Sequence, residues 1–201
     1  MSIKISIKNS LKLISVKNHV FFTNENFQIT ELNKLPISKH SIFIKKILGL
    51  NNLDHRNFMS FNLDANQRII LVKIKKNQTS LEIEKIGAEF YMFLKSNLFL
   101  KTIFYEQNII NTATKNDYFF DQFIQGLQLK SYEFNRYKSK NKEKKFDITI
   151  IKKNKSFNFN KNKKFKALIE GTNLTKDLVS EPGNILHPDE YAKRLLKLKR
   201  F

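Results

Sequence analysis

The residues that could act as metal ligands, general bases or nucleophiles are few and widely spaced in this sequence. A zinc-peptidase helix needs two histidines four positions apart, because that spacing puts both on one helix face. None of the histidines has this spacing, and neither a nucleophile elbow nor a phosphate-binding glycine loop occurs. The sequence therefore nominates no catalytic residue and no metal ligand, and its histidines stand alone: His19, His40, His55 and His187.

Two pairs of close carboxylates, Glu82 with Glu84 and Asp189 with Glu190, are the remaining candidates for acid–base chemistry. Glu82 and Glu84 stand two positions apart in a predicted helix, so their side chains point to different faces. Asp189 and Glu190 follow a proline, which is favoured at the first position of a helix, and negative charge there stabilises the helix dipole. We interpret both pairs as helix starts, and His187 as a neighbour of the second cap rather than a ligand.

The chain is strongly basic, with a net charge of +19, and one region carries over half of the excess. Between Lys138 and Lys166 the sequence holds 12 Lys and two acidic residues. Basic and aromatic residues interleave there, a pattern that can neutralise phosphates and stack bases. A nucleic-acid-binding module is therefore an alternative function, with contacts expected at Lys152, Lys153, Lys155, Lys161, Lys163 and Lys164.

Composition offers a second explanation of the positive charge. Only five of the 37 basic residues are Arg, although Arg is the residue that grips phosphate and guanine with paired hydrogen bonds. Lys, Asn, Ile and Phe are abundant while Gly, Ala and Pro are scarce, as an AT-rich genome imposes on any protein. This explanation is favoured, and it makes residues 152–164 an exposed lysine-rich loop.

Cysteine is absent, which excludes disulfides and thiolate metal sites. No apolar run approaches the roughly 18 residues that span a bilayer. The first residues alternate Ile with Lys or Ser, whereas a signal peptide needs a continuous apolar block. A cytoplasmic protein without a membrane partner is expected.

Strand-like and helix-like segments alternate along the chain. Four turn residues separate two of the strands, which predicts a hairpin. Gly49 is expected to end the first helix, and Ser80 to cap the second. Strands are predicted at 2–8, 20–23, 57–63, 68–75, 99–106 and 145–151, and helices at 38–48, 80–97, 116–131, 165–181 and from 188 onward.

This alternation predicts an α/β fold, a layered mixed sheet flanked by helices and followed by a long C-terminal helix. A Pro-Gly pair at 182–183 ends that helix. The helix that begins at Pro188 places Tyr191, Leu195 and Leu198 on one apolar face. We expect that face to be exposed and to favour self-association.

Two tracts resemble the leucyl (cytosol) aminopeptidase family. Residues 123–138 (FIQGLQLKSYEFNRYK) resemble the family's glycine-containing helix and the Tyr-x-Phe-x-x-Tyr-Lys run after it. Residues 170–188 (EGTNLTKDLVSEPGNILHP) resemble the long interdomain helix and the Pro-x-Asn turn that opens the catalytic domain. Lys176 stands where Arg is commoner, and His187 stands where Ser or Thr usually caps the helix. Before residue 120 the likeness is one of layout alone.

The resemblance implies a domain organisation. Residues 1–159 would form an N-terminal macro-like α/β domain, 160–183 the interdomain linker helix, and 184–201 the first helix of a truncated peptidase domain. In the family the peptidase domain binds two divalent metals, zinc or manganese, through residues that lie well downstream of the interdomain linker helix. We therefore expect no cofactor in this chain and no activity from it alone.

The resemblance further implies what the complete protein would do. It would remove N-terminal residues from peptides, form a hexamer, and join this domain to the missing peptidase domain. A macro-like pocket for a nucleotide is a third possibility, and it depends on fold analogy only.

Overall fold

A computed structural model describes residues 3–9, 18–29, 32, 37–50, 57–112, 118–138, 145–152 and 163–198. Strands and helices follow one another in the predicted order, with a 3-10 turn at Ser38–His40 before the first helix and one short helix, Glu106–Thr112, that the sequence analysis does not predict. The strands are β1 (Ile3–Lys8), β2 (Asn18–Thr23), β3 (Phe58–Asn62), β4 (Arg68–Lys73), β5 (Lys101–Tyr105) and β6 (Phe146–Ile151). The helices are α1 (Ser41–Leu50), α2 (Ser80–Ser96), α3 (Glu106–Thr112), α4 (Phe119–Ser131), α5 (Lys163–Ser180) and α6 (Pro188–Leu198).

The six strands form one mixed sheet in the order β1-β6-β5-β2-β4-β3. Every neighbouring pair is parallel except β3 and β4, which confirms the predicted hairpin. Asp64 shapes the turn between them, because its Oδ1 accepts hydrogen bonds from the backbone N–H groups of Asn66 (2.7 Å) and Gln67 (2.8 Å). These two bonds stabilise the ionised carboxyl and lower the pKa of Asp64.

The sheet is covered by helices on both faces, as an α/β layered fold requires. Alternate residues of β2 point to opposite sides, so Val20 and Phe22 pack under α2 and α4 while Phe21 packs on the side of α1. Phe22 lies among four aromatic rings at centroid distances of 5.0–6.2 Å: Phe104, Phe119, Phe120 and Phe123. The apolar stripe of α4 is buried here.

Three local expectations are wrong. Gly49 lies inside α1, since that helix continues to Leu50. Thr79, not Ser80, caps α2, because the Thr79 Oγ1 accepts from the N–H of Glu82 while the Glu82 carboxylate accepts from the N–H of Thr79. The strand predicted to reach Glu106 ends at Tyr105, and Glu106 begins α3.

The short helix α3 completes the pairing of β2. The ladder between β2 and β5 ends at Val20, so Phe22 lacks a backbone partner on that side. The Asn108 side chain supplies both missing hydrogen bonds: its Oδ1 accepts from the Phe22 N–H (2.7 Å) and its Nδ2 donates to the Phe22 carbonyl (2.9 Å). A buried backbone group therefore keeps its hydrogen bonds where the sheet ends.

Candidate functional site at the junction of α4, α5 and α6

The two tracts singled out in the sequence meet in space. Tyr132 to Lys138 follows α4, and the end of α5 with the turn after it lies against this segment. The paired residues are 41 to 45 positions apart in the chain. We call this contact region, with α6, the junction.

Asp177 on α5 forms one half of the junction. Its Oδ1 accepts a hydrogen bond from the Tyr132 hydroxyl (2.7 Å), and its Oδ2 lies 3.2 Å from the Arg136 Nη2. The neighbouring residue on α5, Lys176, adds a further contact to the end of α4. Its Nζ donates a hydrogen bond to the Leu129 carbonyl (2.9 Å) and lies over the Tyr132 ring. These contacts dock the last turns of α5 on the end of α4.

Glu181 forms the other half, immediately after α5. Its side chain is 0% exposed, and three donors converge on its two oxygens. Arg136 Nη1 lies 2.5 Å from Oε1, Arg194 Nη1 lies 3.1 Å from the same oxygen, and the Tyr137 hydroxyl donates to Oε2. An enclosed carboxylate is tolerated when its lone pairs are satisfied and an opposite charge is adjacent, and Glu181 meets both conditions.

Ionisation in the junction follows from these contacts. The Tyr137 hydroxyl, and after it Arg194 and Arg136, outweigh burial and lower the pKa of Glu181 below its usual 4.5. The same hydrogen bond raises the pKa of Tyr137. Glu190 and Glu181 together raise the pKa of Arg194. At neutral pH Glu181 is thus ionised and the Tyr137 hydroxyl keeps its proton, with one carboxylate held between two guanidinium groups.

The turn between α5 and α6 is closed by backbone hydrogen bonds. Ile185 and Leu186 both donate to the Pro182 carbonyl at 2.9 Å, and Tyr191 donates to the His187 carbonyl at 3.0 Å. His187 therefore stands at the start of α6, as expected. Asp189 and Glu190 lie in the first turn, where Glu190 Oε1 accepts from Arg194 Nε at 3.1 Å. The second carboxylate pair thus serves the helix start.

Helix α6 is tied to Glu181 through Arg194, and it has no buried residue. Tyr191, Leu195 and Leu198 are 43%, 40% and 44% exposed, which confirms the expected apolar surface on this helix. The junction can hold α6 in a fixed direction, because Arg194 is paired with both Glu181 and Glu190.

The candidate nucleic-acid contacts are only partly described. Lys152 follows β6, and Lys163 with Lys164 forms the start of α5 rather than a loop. Lys153, Lys155 and Lys161 lie outside the described residues, as do Phe157 and Phe159. Binding of nucleic acid stays a prediction.

His19 is a buried residue that no sequence signal marks. Its Nδ1 lies 2.6 Å from the Tyr105 hydroxyl in the core beneath α1. Burial lowers the pKa of His19 to about 4, against a smaller opposing effect of Asp64. His19 is thus neutral at physiological pH. His55 is not among the described residues, and in the described ranges no three His, Asp or Glu side chains gather as a metal site.

His19 should make the domain sensitive to mild acid. Between pH 6.5 and about 4 the unfolded chain binds a proton that the folded one does not, so stability present above pH 6.5 falls on acidification. By pH 5 the loss amounts to about 2 kcal/mol. In urea unfolding, the free energy of unfolding should fall between pH 7.5 and pH 5, and this fall should be smaller by about 2 kcal/mol in His19→Gln. The glutamine amide keeps a hydrogen-bonding group near Tyr105. Equal drops in both proteins would contradict this role.

Comparison with known proteins locates the fold and then the family. No protein-family model matches the chain. A tomato leucine aminopeptidase mutant superposes with a TM-score of 0.66 at 19% identity, over 98% of this chain and 42% of that one. The bottromycin maturation enzyme BotP gives a TM-score of 0.59 at 12% identity, over 92% of this chain and 37% of that one. The fold is that of the N-terminal domain of leucine aminopeptidases.

Relatives in sequence carry a consistent name. A probable cytosol aminopeptidase of Phytoplasma mali (strain AT) is 40% identical over 85 residues, which is 39% of this chain and 17% of that protein. Its counterpart in Nitrobacter winogradskyi is 22% identical over 192 residues, which is 90% of this chain and 38% of that protein. The chain carries an N-terminal domain of the leucyl aminopeptidase family. It spans less than half the length of the relatives it matches.

Proposed function

We propose that this chain is the non-catalytic N-terminal part of a leucyl aminopeptidase-like metallopeptidase. The match to the N-terminal part of proteins named probable cytosol aminopeptidase carries this proposal. In the complete protein, hydrolysis would release N-terminal residues from peptides in the cytoplasm, within a hexamer. In the part of the chain that the structure describes, no helix combines the length and apolarity needed to span a bilayer.

In this proposal the junction fixes the direction in which the chain leaves the N-terminal domain. Residues 160–183 would link the domains, and residues from 184 would begin the peptidase domain. Glu181 binds Arg136 from the N-terminal domain and Arg194 from α6, so one carboxylate sets the direction in which the chain leaves the domain. Pairing through two guanidinium groups favours a fixed geometry over a flexible tether.

The metals belong to the part of the protein beyond the junction. A structure of BotP is a complex with Mn, and two divalent ions, zinc or manganese, are proposed for the complete enzyme. The described residues of this chain offer no site that fits them. Activating a metal-bound water needs ligands that hold the metal, so hydrolysis would take place in the peptidase domain.

An activity assay tests the proposal. The purified chain, incubated with leucine amide and Mn²⁺, is expected to show no turnover above buffer. A full-length cytosol aminopeptidase in the same assay serves as the positive control. Metal-dependent release of leucine by the chain, abolished by a chelator, would overturn the assignment of a non-catalytic role.

A further inference from the structure

The outer edge of β1 offers a row of backbone hydrogen-bonding groups. Within the described residues β1 pairs with β6 alone and stands at the end of the sheet. The Lys8 carbonyl accepts from the Lys152 N–H at 2.8 Å, so the peptide groups of Lys8 face β6. Because these directions alternate along a strand, the N–H and C=O groups of Ile3, Ile5 and Ile7 face away from the sheet.

Helix α5 lies beside this edge, on the side of the sheet that carries the β1 isoleucines. A cleft of about 240 Å³ separates them, lined by the three isoleucines of β1, by Phe165 and Ile169 from α5, and by α4 residues that include Asp121 and Gln128. None of the 18 residues of α5 is buried, although Phe165 and Ile169 face the isoleucines across this cleft. Ile7 is 48% exposed. Apolar surface on both the strand and the helix would be removed from water by one more strand inserted below α5.

We propose that the edge of β1 binds an extended acidic peptide, which adds a strand to the sheet. Backbone pairing would supply affinity, and alternate side chains would supply specificity. One face of the added strand would be apolar and lie in the cleft under α5. The other face would carry Asp or Glu.

The positive charge on the opposite face of the sheet is the reason to expect acidic residues in the bound peptide. Lys4 and Lys8 point away from the isoleucine side and are exposed. Lys101 neighbours them across the sheet, and Asp147 is the acidic residue in register with Lys4 and Lys101. An added strand with acidic residues on this face would place each opposite a lysine, and opposite charges across a ladder stabilise the pair.

The same charges oppose pairing with a second copy of the chain. An antiparallel β1–β1 pair that keeps the isoleucines together has two registers of equal overlap within Ile3–Lys8, with Lys4 opposite either Lys8 or Ser6. Neither register gives Lys4 an acidic partner, the first places like charges directly opposite, and lysines on edge strands commonly prevent self-association. A peptide of opposite charge therefore fits this edge better than a symmetric dimer does.

Fluorescence anisotropy with labelled, capped peptides tests the site on the full chain. A peptide of alternating Glu and Val is expected to bind, and its Lys and Val counterpart to bind at least about tenfold more weakly. In Ile7→Pro the outward N–H is lost while the ladder to β6 is kept, so binding should disappear with the fold intact by circular dichroism.

A pair of double variants separates the site from the overall charge. Lys4→Glu/Lys8→Glu should weaken binding at least about tenfold. Lys45→Glu/Lys46→Glu, which changes the net charge equally on exposed positions of α1, should leave it within about twofold. Equal losses in both, or equal affinity for both peptides, would overturn the proposal. A dimer that Ile7→Pro dissociates, without peptide binding, would assign the edge to a second copy instead.

Discussion

Replacing Gly126 with alanine is expected to destabilise the domain by about 3 kcal/mol or more, because the added methyl group has no space. A Cβ at Gly126 would lie 1.8 Å from the backbone oxygen of Glu84 and 2.6 Å from its carbonyl carbon. The contact is reciprocal: a Cβ at Gly87 would lie 1.9 Å from the Phe123 backbone oxygen. Helices α2 and α4 therefore cross backbone to backbone, and relief requires the two helices to separate.

Gly171→Ala is the matched control for this prediction. Gly171 lies inside α5 with no atom within 4 Å of a built Cβ. Alanine there should stabilise the chain by roughly 0.5–1 kcal/mol, since glycine costs conformational entropy in a helix interior. Urea unfolding followed by circular dichroism compares the two substitutions. If Gly126→Ala is as stable as the natural chain, the close crossing is wrong.

The sequence reveals the layers of this fold but not how closely they approach. Alternation of Ile3, Ile5 and Ile7 with polar residues predicts a half-buried strand, and the period of Phe120, Phe123 and Leu127 predicts a buried helix face. Both follow from local pattern. The sequence shows Gly126 only as a glycine in a helix, because the backbone carbonyl that packs against it belongs to Glu84, 42 positions earlier.

Local competition explains the misplaced boundaries. Thr79 and Ser80 are both good cap residues, and the choice depends on which one has a Glu three positions later; Glu82 selects Thr79. Strand β5 ends at Tyr105, and α3 after it brings Asn108 to the backbone of Phe22. Which residue of β2 lacks a ladder partner depends on the register of β2 against β5, which a single sequence does not contain.

The sequence shows the junction as two tracts and not as one site. Residues 123–138 and 170–188 each resemble one family, and their contact is a property of the fold. Asp177 and Glu181 are one helical turn apart, so their shared face can be inferred. Their partners Tyr132, Arg136 and Tyr137 cannot, because pairing across about 45 residues needs the tertiary structure.

Glu181→Gln is expected to release α6 from the domain while leaving the sheet folded. The amide cannot balance Arg136 and Arg194, so two guanidinium groups would face each other without a carboxylate between them. With no buried residue of its own, α6 depends on this contact. Hydrogen–deuterium exchange should show the amides of residues 188–198 exchanging about tenfold faster or more, with those of β2 and β4 unchanged.

Acid should produce the same opening in the natural chain. The pKa of Glu181 is lowered in the folded state, so its contribution is complete above 4.5 and is lost as the pH falls through the folded value. Glu170→Gln is the control, since its pair with Lys166 is solvated on the same helix and contributes little. Protection of α6 that survives in Glu181→Gln would mean that α6 does not depend on the carboxylate, and the junction would then have no part in directing the chain that follows.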